Sequence, residues 1–376
     1  MRVVLVENYR PDRQRSMLLF SECLRGELTR RGVNLVTIGP RRIVGPRLNS
    51  HGGPAKWLAY VDKFILFPKQ LRRVAQRNPG STVFHICDHS NAMYVREMGR
   101  SSCVVTCHDL LAVRGSLGDD MAFCPTGAMG RVLQRRILRG LEAAPVVACV
   151  SHATARDFKR LAPGYAGVTE VVTMGLNTAF KPLDPSEAWR RLAGLPLVPH
   201  VPFVLNVGSS LPRKNREACL RILSRLDAER VRLLVFVGQR LTPAQLRLAS
   251  ESGVRERVVE LGEVPKTQLE ALYSAAHALL FPSLAEGFGW PALEAQACAC
   301  PVVCSNRTSL PEVVGNAAFM NDPDDEPAFA RSLMQLFDPR LRLGAIQAGL
   351  ENVSRQSTER MIANYCAIYS SLAGRS

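Results

Sequence analysis

Short apolar strands alternate with helical segments along almost the whole chain, and the alternation starts twice. The first series contains "RVVLVE", "VNLVTI", "TVFHICD", "CVVTCHDL", "PVVACVS" and "VTEVVTMGL", and it ends near residue 176. After the Pro- and Gly-bearing stretch "FKPLDPSEAWRRLAGLPLVPHVP", the second series contains "FVLNVGSS", "VRLLVFVG", "VVELGEV", "ALLFPS" and "PVVCSN". Strands that alternate with helices form parallel sheets that are covered by helices.

We therefore predict an α/β protein of two doubly wound domains, which also suits a length of 376 residues. The N-terminal domain is expected to span residues 1–178, and the C-terminal domain residues 179–356. A last amphipathic helix, at about residues 357–376, is long enough to pack back on the N-terminal domain.

The chain is basic, with a formal net charge of +15, and arginine-rich segments such as "KQLRRVAQR" and "RVLQRRILRG" lie in its first half. Such a surface favours an anionic partner, either phospholipid headgroups, a lipid pyrophosphate or nucleic acid. Aromatic residues make up 6% of the chain and no nucleic-acid motif occurs, so we expect no nucleic acid and favour an anionic membrane surface.

Two further features concern the compartment. Neither an apolar run of about 18 residues nor an export signal is evident in the sequence. The eleven cysteines lack the paired spacing of a zinc site and suit a reducing environment, so we expect no metal site. We predict a cytoplasmic protein that can contact the inner face of the cytoplasmic membrane.

The segment "FPSLAEGFGWPALEAQACACPVVCSN" follows a predicted strand and contains two glutamates, Glu286 and Glu294. Gly287 and Gly289 let the backbone approach a ligand, and Pro291 suits the first turn of a helix. We expect Glu294 in that first turn and Glu286 in the preceding loop. A helix N-terminus binds anions and carboxylates accept hydrogen bonds from sugar hydroxyls, so the segment suits a nucleotide sugar. The alternative is structural: Glu294 is a helix-terminal charge and Glu286 a solvated loop residue.

The same segment, with "VTCHDLL", "VSHATARDF", "VVTMGLN", "VGSSLPRKN" and "LPEVVG" in the same order, resembles the family-4 retaining glycosyltransferases, also called glycosyl transferase group 1, and most resembles their mannosyltransferases. The resemblance is dense from about residue 202 to 325 and sparse before residue 100. It implies the GT-B fold: two facing Rossmann-like domains with a cleft between them. The donor then lies in the C-terminal domain and the acceptor mainly on the N-terminal one.

The resemblance implies that Arg213 and Lys214 neutralise the diphosphate leaving group, so that no divalent metal or other cofactor is needed. Gly208 would allow close backbone approach in the same loop. Many relatives have an arginine directly after that glycine, whereas this chain has Ser209. Either Arg213 acts alone or the phosphate is held less tightly.

By the same resemblance, Glu294 binds the ribose hydroxyls of the donor and Glu286 lies near the donor sugar. The backbone N–H groups of Gly287, Phe288 and Gly289 would contact sugar or phosphate oxygens. All five residues are therefore predicted to bind the donor, and Glu286 is also a predicted catalytic residue, as are Arg213 and Lys214.

In the N-terminal half, His108 resembles a family histidine close to the donor sugar, and it is a predicted catalytic residue that contacts the sugar, the departing phosphate or the acceptor hydroxyl. The alternative is a core histidine at the end of a strand. Asp109 follows it and is a weaker acceptor-binding candidate.

Besides Ser209, the sequence departs from the family pattern in two further places. Relatives have a Gly-Gly pair where the first helix begins, and this chain has Arg15 and Ser16 there. Ser16 is expected to cap the helix, and Arg15 either binds the diphosphate or narrows the pocket. Ala299 stands where the family has glycine, and a left-handed conformation there would cost about 1 kcal/mol.

The function that follows from the resemblance is transfer of a hexose from a nucleoside-diphosphate sugar, with GDP-mannose as the favoured donor, to a hydroxyl of a glycan or lipid-linked glycan. Three alternatives stay open at this point. They are a transferase that uses a UDP-sugar, a GT-B sugar-nucleotide epimerase or hydrolase, and a non-catalytic glycan-binding relative.

Overall fold

The computed structural model describes residues 1–12, 14–44, 58–77, 82–99 and 102–374. The chain divides into two compact units, each with its own parallel sheet. The N-terminal unit comprises Met1–Asp120, Cys124–Thr178 and Thr358–Ser376, and the C-terminal unit comprises Met121–Phe123 and Ala179–Ser357.

The N-terminal unit contains a six-stranded parallel sheet of order β2-β1-β3-β4-β5-β6. Its strands are β1 (Arg2–Val6), β2 (Asn34–Ile38), β3 (Thr82–Ile86), β4 (Ser102–Cys107), β5 (Val146–Cys149) and β6 (Val168–Val171). The helices that connect them are α1 (Arg15–Arg30), α2 (Phe67–Arg77), α3 (Leu111–Ser116), α4 (Ala128–Glu142) and α5 (His152–Leu161). The strand order reverses between β1 and β3, and ligands bind at the carboxyl edge of such sheets where the order reverses.

The last helix, α14 (Thr358–Ala373), belongs to the N-terminal unit. His85 on β3 shares hydrogen bonds of 2.6 Å with the hydroxyl of Tyr369 and 2.7 Å with the hydroxyl of Thr106. Thr106 also lies 2.8 Å from the hydroxyl of Tyr365. Both tyrosines are fully buried, so this helix is part of the core of the unit.

The C-terminal unit contains a second six-stranded parallel sheet, of order β12-β11-β10-β7-β8-β9. Its strands are β7 (Phe203–Gly208), β8 (Leu233–Gly238), β9 (Val258–Gly262), β10 (Ala278–Phe281), β11 (Val302–Ser305) and β12 (Phe319–Asn321). The chain first builds the sheet outward from β7 to β9 and then returns to the other side of β7. The loops after β7 and β10 therefore flank the point where the strand order reverses.

Helices cover both faces of this sheet. They are α6 (Pro185–Arg191), α7 (Arg216–Ser224), α8 (Pro243–Glu251), α9 (Lys266–Ala275), α10 (Trp290–Ala297), α11 (Leu310–Val314), α12 (Glu326–Gln335) and α13 (Pro339–Arg355). Two apolar cores result, one on each face of the sheet, and the central strands are buried on both sides. Continuous apolar strands are the expected pattern for a parallel sheet that is covered on both faces.

The predicted α/β class with two doubly wound sheets is confirmed, and all eleven predicted strands occur. The sequence missed β12 (Phe319–Asn321), whose three residues extend the edge of the second sheet beside β11. None of the helices in the described part of the chain is long and apolar enough to cross a membrane.

Candidate functional site

The loop after β7 carries the two predicted phosphate-binding cations. A short 3-10 helix, Pro212–Lys214, follows the strand, and Asn215 (φ 51°) turns the chain into α7 through a left-handed conformation. The Asn215 side-chain amide donates to the carbonyl of Pro282 at 3.1 Å, and the backbone N–H of Leu284 donates to the carbonyl of Arg213 at 2.8 Å. These bonds attach the β7 loop to the β10 loop.

Arg213 and Lys214 converge on one carboxylate. The Arg213 Nη1 lies 2.9 Å from Glu286 Oε2, and the Lys214 Nζ lies 2.6 Å from Glu286 Oε1. Glu286 is 7% exposed, so the interpretation of Glu286 as a solvated loop residue is wrong. Burial by itself raises the pKa of Glu286, but Lys214 and Arg213 outweigh it and hold that pKa below its ordinary value.

Lys214 lies between the two loops and close to Gly208. Its Nζ is 4.9 Å from the centre of the Phe281 ring, a cation–π contact. A Cβ at Gly208 (φ 149°) would lie 3.5 Å from Cε and 3.8 Å from Nζ of Lys214. Burial lowers the pKa of the Lys214 ammonium, and contact with Glu286 opposes that shift. Ser209, the next residue, is half-buried in this loop.

The loop that contains Glu286 is fixed by two residues that the sequence did not single out. The backbone N–H of Glu286 donates to the Thr308 hydroxyl at 3.0 Å. The buried Ser309 hydroxyl donates to the carbonyls of Glu286 at 3.0 Å and Phe288 at 2.8 Å. Both lie in the segment "NRTSLPEVVG", which belongs to the stretch that resembles the family, although the resemblance assigned neither residue a role.

Gly287, Phe288 and Gly289 complete this loop. Phe288 is buried, and its ring centre is 5.7 Å from that of Trp290. Gly289 has φ 108°, and a Cβ there would lie 2.6 Å from Leu310 Cδ2. The left-handed backbone favours glycine at this position, and a Cβ would also have to displace the end of the Leu310 side chain.

Glu294 lies in the second turn of α10, so its predicted place in the first turn is wrong. The helix begins at Trp290, one residue before Pro291, which makes Glu294 its fifth residue. The Tyr273 hydroxyl donates to Glu294 Oε2 at 3.0 Å. Burial, together with Glu294, raises the pKa of Tyr273 well above its ordinary value, so Tyr273 keeps its proton as donor.

The sequence missed Arg216, a fully buried cation beneath the same loops. Its guanidinium donates to the backbone carbonyls of Gly208 at 2.8 Å, Val237 at 3.2 Å and Gln239 at 2.5 Å. It also lies 3.0 Å from the Ser210 hydroxyl. These bonds connect the loop after β7 to the loop after β8. An arginine in a helical first turn gives no sequence signal for this role.

The remaining predicted residues lie in the N-terminal unit. His108 follows β4 and is buried, and its Nε2–H donates to the carbonyl of Cys87 at 2.9 Å. Burial lowers the pKa of His108, which favours the neutral ring. The Asp109 carboxylate accepts from the backbone N–H of Leu111 at 3.1 Å, at the start of α3.

Arg15 and Ser16 are exposed at the beginning of α1. The predicted cap at Ser16 is wrong, because the helix begins at Arg15 and Gln14 is the capping position. Ser16 is therefore already inside the first turn. Ala299 has φ 56°, so the left-handed conformation whose cost was considered for this position is present.

The nine donor candidates of the C-terminal unit thus lie on loops and one helix at a single edge of the sheet. They are Gly208, Ser209, Arg213, Lys214, Glu286, Gly287, Phe288, Gly289 and Glu294. Arg15, Ser16, His108 and Asp109 belong to the N-terminal unit, and their roles toward a donor or acceptor stay predictions. Paired cations beside a helix N-terminus are suited to hold a diphosphate.

Comparison with known proteins places the chain in a family. The family model described as "Glycosyl transferases group 1" matches residues 193–349, which contain all nine of these candidates. A D-inositol 3-phosphate glycosyltransferase of Corynebacterium efficiens is 30% identical over 292 residues, or 73% of this chain and 67% of that protein. The chain belongs to the group 1 glycosyl transferases.

Another relative matches over a shorter length. The O-antigen chain mannosyltransferase B of Escherichia coli is 34% identical over 234 residues, which is 61% of this chain and 61% of that protein. The chain thus spans less than two thirds of the length of this relative.

A solved structure of another protein has a similar fold over the full length of this chain. The sucrose-phosphate synthase of Thermosynechococcus elongatus superposes with a TM-score of 0.79 at 20% identity, covering 100% of both chains. The predicted GT-B fold is confirmed by this likeness.

Proposed function

We propose that this chain transfers a hexose from a nucleoside-diphosphate sugar to a hydroxyl of a glycan or lipid-linked glycan. The observation that carries the proposal is the convergence of Arg213 and Lys214 on Glu286 at the carboxyl edge of the C-terminal sheet. Two cations and one carboxylate leave this cluster with a net positive charge. A dianionic diphosphate is the ligand that this charge and the adjacent loop favour.

The cluster also accounts for how the cations are held before the donor binds. Glu286 keeps Arg213 and Lys214 in position, so little side-chain entropy is lost when phosphate oxygens bind them. On donor binding, phosphate oxygens would take the N–H groups that face away from Glu286. Glu286 would then accept a hydrogen bond from a hydroxyl of the donor sugar.

The rest of the donor is proposed to lie along α10. Backbone N–H groups of Gly287, Phe288 and Gly289 precede the positive end of this helix and suit phosphate or sugar oxygens. The second carboxylate, Glu294, would accept from the two ribose hydroxyls. Its bond from Tyr273 fixes the orientation of that carboxylate.

The proposed reaction retains the anomeric configuration. The bond between the anomeric carbon and the phosphate oxygen breaks, and both electrons leave with the diphosphate, whose added charge Arg213 and Lys214 stabilise. The acceptor oxygen bonds to the anomeric carbon on the face that the diphosphate leaves. The hydroxyl proton passes to an oxygen of the departing diphosphate. No metal or other cofactor is proposed, because the two cations supply the charge stabilisation.

The sugar is proposed to be mannose, with GDP-mannose as donor. This choice is supported by the name of the Escherichia coli relative, an O-antigen chain mannosyltransferase, and by the sequence "PRKN" with "SLPEVVGNAA". The Corynebacterium efficiens relative is named for D-inositol 3-phosphate, which supports a hydroxylated and anionic acceptor.

A cytoplasmic location and peripheral contact with the inner face of the membrane are part of the proposal. On α4, Met129 is 63% exposed and Val132 is 49% exposed. The same helix carries four arginines, Arg131, Arg135, Arg136 and Arg139. Exposed apolar side chains beside cations favour anionic headgroups, which would also bring the protein to a lipid-linked acceptor.

The experiment is a transfer assay with GDP-mannose or UDP-glucose, with and without membrane lipid extract. We expect GDP release that depends on the extract and a glycoside with the donor's anomeric configuration by NMR. Lys214→Met should lower the rate at least 100-fold, since it removes a contact to the leaving group. Lys266 is exposed, so Lys266→Met is the matched control and should keep the wild-type rate.

Three outcomes would overturn parts of the proposal. Activity with UDP-glucose and none with GDP-mannose would show that the donor is a UDP-sugar. Free sugar or an epimer formed without extract would indicate a hydrolase or epimerase. Failure to bind any nucleoside diphosphate would indicate a non-catalytic relative.

A further inference from the structure

Two consecutive residues between β11 and α11 hold three backbone groups of the loop that contains Glu286. The Thr308 hydroxyl accepts from the backbone N–H of Glu286 at 3.0 Å. The Ser309 hydroxyl lies 3.0 Å from the carbonyl oxygen of Glu286 and 2.8 Å from that of Phe288, and Ser309 is fully buried. One side of the loop is therefore bonded to this two-residue segment.

These bonds determine which way the peptide groups of the loop face. The peptide bonds of the loop are trans, and in a trans peptide the carbonyl and the following N–H point in opposite directions. The carbonyls of Glu286 and Phe288 point to Ser309. The N–H groups of Gly287 and Gly289 therefore point away from Ser309, toward the opposite side of the loop.

The paired cations lie on that opposite side. The N–H of Glu286 points to Thr308, so the preceding carbonyl, that of Ala285, points the other way, and it accepts from Arg213 Nη1 at 3.1 Å. Arg213 and Lys214 also hold the Glu286 carboxylate. Backbone N–H groups that face the same side as two cations suit the oxygens of a diphosphate.

Thr308 has a backbone conformation that β-branched residues rarely adopt. Its φ is 55°, in the left-handed region. Such strain persists where the surroundings hold a residue in place, and it concentrates at functional sites. Here the Arg307 guanidinium lies 3.0 Å from Asp322 and 2.5 Å from Asp324, and Leu310 on the other side is fully buried. The strained backbone keeps the Thr308 hydroxyl beside the Glu286 loop.

We propose that Thr308 and Ser309 are positioning residues of the transfer reaction, which orient Glu286 and the Gly289 N–H toward the diphosphate of the donor. The inference rests on the proposed function, because the diphosphate belongs to the donor of that reaction. Both residues act through other groups, and a small misorientation of those groups is enough to weaken phosphate binding. GMP lacks the second phosphate, so a loss of orientation weakens GDP more than GMP.

The test is calorimetric titration of GDP and GMP, with UDP and UMP in parallel. We expect Ser309→Ala to weaken the diphosphate at least tenfold and the monophosphate less than threefold. Thr308→Val keeps the shape of the side chain but lacks the acceptor for the Glu286 N–H, and it should have the same effect. Thr308→Ser keeps the hydroxyl and should bind both nucleotides within twofold of the wild type.

The matched control is Ser250→Ala on α8. Ser250 is exposed, and its hydroxyl also donates to a carbonyl, that of Leu246 at 3.2 Å. This variant should change neither affinity. Thermal unfolding of every variant is measured on the same samples. If Ser309→Ala does not fold, the comparison of Thr308→Val with Thr308→Ser decides the matter.

Two results would overturn the inference while leaving the proposed function intact. One is a preference for diphosphate over monophosphate that survives in Thr308→Val and Ser309→Ala. The other is equal weakening of both nucleotides, which indicates a general loosening of the unit. If the wild type itself prefers neither diphosphate over its monophosphate, the proposed diphosphate site fails, and the inference fails with it.

Discussion

Replacing Arg216 with methionine tests whether a buried cation holds the donor loops in position. Methionine has a similar length but no hydrogen-bond donor. The substitution removes the bonds to the carbonyls of Gly208, Val237 and Gln239, which are 2.5–3.2 Å long. Val237 lies in β8, Gln239 follows that strand, and Gly208 ends β7, so the loops that follow both strands lose one of their connections.

The magnitude follows from two opposing contributions. The Gly208 carbonyl keeps the hydrogen bond from the Gln239 backbone N–H at 3.2 Å. Each buried carbonyl that is left without any donor costs about 1–3 kcal/mol. Removal of a buried cation recovers several kcal/mol of its desolvation energy, and burial is also what lowers the pKa of Arg216. We therefore expect a net loss of about 3 kcal/mol in the free energy of unfolding. For a unit of this size, that loss lowers the melting temperature by roughly 6–12 °C.

The assay is thermal unfolding followed by circular dichroism, together with a GDP titration by calorimetry. Arg216→Met should melt earlier and bind GDP at least tenfold more weakly, since the Gly208 loop that carries Arg213 and Lys214 is no longer fixed. The matched control is Arg247→Met, an exposed arginine on α8. The reasoning is refuted if Arg216→Met melts within 2 °C of the wild type and keeps its GDP affinity.

Three further predictions test other parts of the structure. Ala299→Gly should raise the free energy of unfolding by about 1 kcal/mol in urea denaturation, because φ is 56°, and an unchanged midpoint would contradict this. Gly289→Ala should abolish GDP binding and destabilise the protein, because the added Cβ would lie 2.6 Å from Leu310 Cδ2. A variant that binds GDP with the affinity of the wild type would contradict the close packing of this loop. Burial lowers the pKa of His85 to about 3, whereas a histidine in the unfolded chain titrates near 6.5. The contribution of His85 to the free energy of unfolding is therefore complete above pH 6.5. It is lost as the pH falls toward 3, at about 1.4 kcal/mol per pH unit. The free energy of unfolding should therefore fall less steeply with falling pH in His85→Gln than in the wild type. The same steepness in both proteins would contradict the assignment.

The strands were predictable because a parallel sheet that is covered on both faces needs continuous apolar runs. The run "FVLNVGSS" predicts a buried strand that ends in a loop, and β7 ends at Gly208. β12 was missed because its three residues form no such run, and pairing with β11 defines this strand. The topology, with its reversals beside β1 and β7, could not be read from the order of the strands alone.

The site was predictable where a motif fixes the backbone, as for Gly289 and the Pro212–Lys214 turn. The errors concern residues whose place in a helix depends on the residue at which that helix begins. Ser16 and Glu294 each lie deeper in their helices than predicted, because the helices begin at Arg15 and Trp290. Such boundaries depend on tertiary contacts that a single sequence does not display.

Two other features depend on residues that are distant in sequence. Arg216 acts through carbonyls on two strands, and its burial follows from packing over Phe236, 5.0 Å from the guanidinium carbon. Thr308 acts through the backbone N–H of Glu286, 22 residues earlier in the chain. The motifs assign neither residue a role, so only the structure identifies them.

The central claim is that Lys214, Arg213 and Glu286 form a site for the diphosphate of the donor. The most direct measurement is calorimetric titration of GDP and GMP against the wild type and Lys214→Met. The structure predicts that GDP binds at least tenfold more tightly than GMP, and that Lys214→Met reduces this ratio to below threefold while Lys266→Met leaves it intact. Equal affinities of GDP and GMP for the wild type, or a ratio that survives in Lys214→Met, would contradict the claim.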